Sequence, residues 1–179
     1  GFGVTRDIGA YDFVTGGVFP LLNLLTLGYP NTCETLGFDN TRYFLYAGFI
    51  TGSVIAKIAV GPYQRYTNPL TQTFTASSIT ILNAGVPVSG YVREIAVEES
   101  TGYMFVSITP DLSLTTFIYK MDPITGNVLD TVDTGVPIAH AVFANDGLLY
   151  VLYNGSGDLH VVDTSTLTFG PTIPGGPSV

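Results

Sequence analysis

A chain of 179 residues can bury one sizeable core or carry a run of small repeats, and is too short for two large domains. Only 11% of its residues are charged and 46% are hydrophobic, with a mean hydropathy of +0.38. Ordinary soluble domains are about one quarter charged, so much of this surface must be uncharged or covered. The net charge is −8, and the six basic residues (Arg6, Arg42, Lys57, Arg65, Arg93, Lys120) are scattered, which leaves no basic stripe for nucleic acid or an anionic membrane.

Cys33 is the single cysteine, which excludes an intrachain disulfide and a thiolate-built zinc or iron–sulfur site. The most apolar run, Val18 to Leu27, is interrupted by Pro20 and Asn23 and falls short of the about twenty residues a membrane span needs, so no membrane insertion is expected. The sequence opens on Gly1 with no charged or apolar leader, and reads as a mature, trimmed or incomplete product.

In chain order, Gly3 to Asp12 and Gly17 to Leu27 read as two strands of a first unit, approximately residues 1–28. A second unit, 32–81, holds Thr35 to Phe38, Tyr43 to Gly48, a long Val54 to Tyr66 that Gly61-Pro62 should bend, and Gln72 to Ile81. The third, 91–133, is cleaner: Val92 to Val97, Tyr103 to Ile108, Thr115 to Met121 and Asn127 to Val132. The fourth, 138–173, places Ile138 to Phe143, Leu148 to Tyr153, Asp158 to Val162 and Leu167 to Ile173 in the same four positions. No run of twelve residues carries helical apolar spacing with caps.

One turn recurs through these units. Asp122-Pro123-Ile124-Thr125-Gly126-Asn127 joins two apolar runs with the residues a tight connection requires, because an aspartate can accept from N–H groups two residues on and Gly126 can take positive φ. Asp12, Asn68 and Asp163 fall on the same frame at intervals of about 40 to 55 residues, and all four positions are expected to cap turns. Tyr103 to Ile108 and Leu148 to Tyr153 are apolar on both sides, as strands must be when sheets stack on neighbours. Four antiparallel strands per repeat, buried on both faces, define an all-β fold: a β-propeller-like array of about three and a half four-stranded antiparallel blades, in one domain over 1–179.

The segment Phe117 to Leu129 resembles the hydrophobic-Asp-x-x-Thr-Gly-x-Val hairpin of the YVTN, quinoprotein-like and related β-propeller superfamilies, over roughly Val92 to Ile173. The resemblance implies fold more than function, since such propellers include enzymes, scaffolds, adhesins and surface-layer proteins. With no tryptophan in the chain the docking motif of quinoprotein blades is missing, and no cofactor is expected.

Half a blade at the start leaves apolar faces that something must shield. The first expectation is therefore a structural, non-enzymatic subunit of an extracellular or cell-surface assembly, a filament built by head-to-tail contact with copies of itself. The alternative is a fragment of a larger propeller that binds a ligand or partner protein, with Glu94, Glu98 and His140 on inner strands as axial-face contacts. A metal-dependent hydrolase or lactonase is the third reading, set against the absence of an Asp-x-Asp-x-Asp-Gly loop, a Gly-x-Ser-x-Gly elbow or a phosphate loop. His160 reads as a solvent-side strand residue, and Tyr29, Tyr63 and Tyr66 as a weak candidate platform for sugar. Asn154-Gly155-Ser156 is an N-glycosylation acceptor sequence in a turn.

Overall fold

The computed structural model describes residues 7–11, 18–23, 33–49, 54–59, 79–82, 90–111, 113–145 and 147–175. These form fourteen strands and no helix. A first unit pairs β1 (Asp7–Tyr11) with β2 (Val18–Asn23). The second blade is β3 (Cys33–Asp39), β4 (Phe44–Phe49), β5 (Ile55–Ala59) and β6 (Ile79–Ile81). The third is β7 (Gly90–Val97), β8 (Met104–Pro110), β9 (Phe117–Met121) and β10 (Val128–Asp133). The fourth is β11 (Ala139–Asn145), β12 (Leu148–Tyr153), β13 (Leu159–Asp163) and β14 (Phe169–Ile173). Each blade is an antiparallel meander in chain order, and the first strands lie side by side, β7 touching both β3 and β11. Three four-stranded sheets and a two-stranded one are the architecture the repeats imply. Among the described residues no helix is long and apolar enough to cross a membrane.

Side chains on a strand alternate between faces, so a blade between two neighbours buries every position of its central strand. On β8, Met104, Val106 and Ile108 join Tyr46, Ile55, Val92, Tyr119 and Met121 in the core between the second and third blades. Phe105, between them, joins Ile118, Ala139, Ala141, Leu149, Val151 and Val162 in the core between the third and fourth. All five residues from Met104 to Ile108 are fully buried.

The first strands break strict alternation. The β3 register shifts between Cys33 and Thr35, that of β7 between Val92 and Glu94, and that of β11 between Ala141 and Phe143, each inserting one extra residue and turning the strand. The second and third blades also meet closely. A Cβ on Gly48 would run into the Val92 side chain, and one on Gly37 would sit 2.6 Å from Ile95 Cγ2. Of the long strands expected at Val54 to Tyr66 and Gln72 to Ile81, the described parts are β5 and β6; the Gly61-Pro62 bend lies outside the described residues.

Overpacking a close contact of this kind typically costs 1–3 kcal/mol. Gly48→Ala should therefore lower stability by about 2 kcal/mol in a denaturant titration, whereas Gly135→Ala, where nothing lies within 4 Å, should cost less and only through its positive φ of 71°.

Candidate functional site

Strands that alternate in direction return their first and third connections to the same end of a blade, and that end holds the polar chemistry of this chain. In the third-blade turn, Asp122 Oδ1 accepts from the N–H groups of Ile124 (2.7 Å) and Thr125 (3.0 Å), and Gly126 takes φ 76°. Asp163 repeats the arrangement, accepting from Ser165 N–H (2.8 Å) and Thr166 N–H (2.9 Å) and from both hydroxyls. The place of Gly126 is taken there by Leu167, held at φ 51° with its side chain buried in the core between the third and fourth blades. Asp12 and Asn68 lie outside the described residues.

The hydrogen bonds from Thr125 and Ile124 hold the Asp122 carboxyl below its ordinary range. Those from the Ser165 hydroxyl, Thr166 N–H and Ser165 N–H bring Asp163 down to about 2.

The same end of the blades carries a set of latches that the turn frame alone does not reveal. Lys57, on the third strand of the second blade, donates to Pro123 O in the turn of the third blade (2.8 Å) and lies 4.2 Å from the centre of the Phe44 ring. Lys120, at the equivalent place one blade on, donates to Thr164 O in the turn of the fourth blade (2.8 Å) and lies 4.7 Å from the Tyr103 ring. Each lysine thus covers an aromatic of its own blade and grips the carbonyl just after the recurring aspartate position of the next. Burial pushes the Lys57 ammonium pKa down, and Asp122 and Asp39 pull it back up.

Two carboxylates at the first turns complete the latches. Asp39 is fully buried, capped by the N–H groups of Thr41 (3.0 Å) and Arg42 (2.7 Å) and paired with the Arg42 guanidinium (3.1 Å). Arg42 in turn donates to Thr101 O of the third blade (3.3 Å), lying over Gly102, where any Cβ would collide with it. Glu98, 2% exposed, accepts from the Thr101 hydroxyl of its own turn and from Gly147 N–H (3.0 Å) and the Thr164 hydroxyl (2.9 Å) of the fourth blade.

The three expected axial-face contacts do not form one site. Glu98 is no accessible ligand contact: its carboxylate is buried between two blades and engaged by three donors. Glu94, half-buried beside the β7 bulge, accepts from the Thr35 hydroxyl of the second blade. His140 pairs with Leu152 and therefore lies on the face of the fourth blade turned away from the third. Among the described residues no three His, Cys, Asp or Glu side chains are grouped so as to hold a metal. Cys33 is half-buried, its thiol donating to Thr35 O (3.4 Å) and its pKa raised by burial. His160 is not a plain solvent-side residue; it stacks on Tyr153 at 3.9 Å and its Nδ1 lies 3.0 Å from the Thr172 hydroxyl. Asn154 is exposed in the turn between β12 and β13. Tyr29, Tyr63 and Tyr66 lie outside the described residues.

The feature no sequence motif announces is the outer face of the fourth blade. On β12, Leu149 and Val151 are fully buried against the third blade, while Leu148 and Leu152 are 37% and 38% exposed. On the equivalent β8 both sides are covered. Tyr150 and Val161 pair between them, and Leu152 with Leu159, so the open face continues across the sheet to Ile173, which is 51% exposed. The register aligns Val161 with Lys57 and Lys120, and Leu152 with Gly48 and Ser107. The blade that ends the described array thus has no latch lysine and presents a leucine where the inner junctions take a small residue.

No protein-family model matches the chain, and no curated protein does. Solved structures do. The chain is similar to one in the nidogen/laminin complex, with TM-score 0.62 at 13% identity over 93% of this chain and 57% of that one. It is also similar to the β-propeller domain of Cps50 (Swd1) from Myceliophteria thermophila, with TM-score 0.53 at 13% identity over 90% and 48%. The chain has a β-propeller fold, and it spans about half the length of the propeller chains it matches.

Hydrogen bonds to a charged group are worth about 1.5–3 kcal/mol each. Glu98→Ala should cost about 2–3 kcal/mol and, in amide hydrogen exchange, lower protection in β11–β14 more than in β3–β5. A second expectation concerns pH. The depressed pKa of Asp163 stabilises the folded state above the ordinary value of 3.8, and the contribution is lost as pH falls through about 2. Asp163→Ala should melt below wild type at pH 7, with the gap closing between about pH 4 and about pH 2.

Proposed function

We propose that this chain is a structural, non-enzymatic propeller subunit that builds an extracellular or cell-surface assembly by associating with copies of itself. The observation that carries the reading is the open face of the fourth blade, where Leu148 and Leu152 of β12, at positions a neighbouring blade would cover, are exposed on either side of a half-buried Tyr150. Contiguous exposed apolar surface of this kind marks an interaction site. A low fraction of charged residues suits a molecule that spends its surface on contacts, and the exposed Asn154-Gly155-Ser156 turn offers a place for a glycan on the outside of such an assembly.

A second reading is favoured by one observation, that the chain spans 57% and 48% of the propeller chains it resembles. On that reading the open face meets a further blade of a larger ring, and ligand or partner binding falls to the axial end.

The discriminating experiment is sedimentation velocity on this chain over a concentration series. Association that grows with concentration, and that Leu148→Glu with Leu152→Glu abolishes while circular dichroism stays that of wild type, is the expected result. A chain that stays monomeric at every concentration would remove the self-assembly reading and leave the larger ring.

A further inference from the structure

An asparagine followed by glycine can react with its own main chain. With no Cβ in the way and dihedrals free to vary, the glycine nitrogen can reach the side-chain carbonyl of the residue before it. Among the asparagines of this chain only Asn154 precedes a glycine, Gly155.

The pair lies in the connection between β12 and β13, at the end of the sheet and not on a blade face, and Asn154, Gly155, Ser156 and Gly157 are all exposed. The turn is closed by Tyr153 N–H on Asp158 O (2.9 Å) and Gly157 N–H on Tyr153 O (3.0 Å), and Asn154 N–H donates to Ile138 O (3.1 Å) at the entry to β11. None of these bonds uses the groups that would react. Among the described residues neither the Gly155 N–H nor the Asn154 carboxamide has a hydrogen-bond partner, and a Cβ on Gly155, at φ 103°, would meet nothing within 4 Å. Asn127 offers the contrast inside the same molecule. It too is exposed in a turn, but its carbonyl accepts from Asp122 N–H (2.9 Å), its N–H donates to the Thr125 hydroxyl (3.2 Å), and the residue after it is the β-branched Val128 that opens β10.

We propose that Asn154-Gly155 is a self-modifying site, which converts to aspartyl and isoaspartyl forms without an enzyme. The Gly155 amide nitrogen gives its proton to solvent base and bonds to Asn154 Cγ, the side-chain amide leaves as ammonia, and a cyclic succinimide remains. A water molecule then opens the ring. Addition at the side-chain carbonyl leaves an ordinary aspartate, whereas addition at the main-chain carbonyl routes the chain through the former side chain and lengthens it by a methylene. Either product adds one negative charge to a chain whose net charge is −8. The isoaspartyl form also puts a longer main chain into a turn whose closing bonds, and whose bond to Ile138 O, are set for the ordinary linkage. Both products lack the amide nitrogen that a glycan at Asn154 would occupy, so the two modifications exclude each other. Neither step depends on how the chain assembles.

The test is peptide mapping by mass spectrometry of the folded, unglycosylated chain during incubation in mildly alkaline buffer, with the same chain in urea as reference. The peptide spanning Asn154 should gain the mass of an amide exchanged for a hydroxyl and separate into two products of equal mass, one of which accepts a methyl group from protein isoaspartyl methyltransferase. Conversion in the folded chain should be at least about tenfold faster than at Asn127 and, because the turn holds neither reacting group, within about tenfold of the rate in urea. Gly155→Ala should slow it about tenfold or more. Asn154→Gln, whose side chain must close a larger ring, should stop it, and serves in place of the alanine variant if that one folds poorly. An Asn154 that stays intact in the folded chain while converting in urea would show that the fold protects the pair, and an Asn127 that converts as fast would show that the glycine confers nothing; either result overturns the inference.

Discussion

Among the described residues, each four-stranded blade carries apolar side chains on both faces of its second strand, and water favours covering both faces. That constraint organises the rest. It explains why β8 is buried from Met104 to Ile108, and why there are two separate cores, one at each junction. Burial of this kind is non-directional and roughly proportional to area, so it presses blades together without specifying their angle or register. Close approach supplies part of that specification, since Ile95 and Val92 occupy the space that a side chain on Gly37 or Gly48 would need.

Directional bonds supply the remainder. Lys57, Arg42, Lys120 and Glu98 all cross a junction at the same end of the blades, and each meets a backbone group or hydroxyl in a turn already rigidified by an aspartate or a short hydrogen-bonded loop. Thr164 shows the economy of the arrangement: its carbonyl accepts from Lys120, its hydroxyl donates to Glu98, and its N–H donates to Gly147 O at 2.8 Å. The recurring aspartates therefore act at one remove. By fixing the turn, they hold the next carbonyl where the preceding blade can grip it.

Three carboxylates, Asp39, Glu94 and Glu98, are taken up by the same work. Glu98 and Asp39, which could have served as accessible ligands, are consumed in holding blades together, and Glu94 bonds across the junction between the second and third blades. The large apolar side chains left exposed on the described strands include Leu36 and Phe38 in the second blade, Leu129 in the third and Leu148, Leu152 and Ile173 in the fourth.

Much of the architecture could be read directly from the residues. Strand positions in the third and fourth units, the turns at Asp122 and Asp163 and the two-faced character of β8 follow from alternation and from turn chemistry, which are local properties carried by neighbouring residues. The latches were less legible, although Lys57 and Lys120 occupy equivalent strand positions and their recurrence was a usable signal. Which way Glu94, Glu98 and His140 would point was not legible at all. An extra residue in each inner strand defeats counting by twos, and only the bulges decide whether a carboxylate faces an axis or a neighbouring blade. Nor could the sequence distinguish Leu152 on an open face from Phe105 inside a junction, because both are apolar residues in two-sided strands. Local pattern settled that this chain makes stacked four-stranded blades; which faces the stack covers, and which it leaves bare, depends on long-range packing that no stretch of residues encodes by itself.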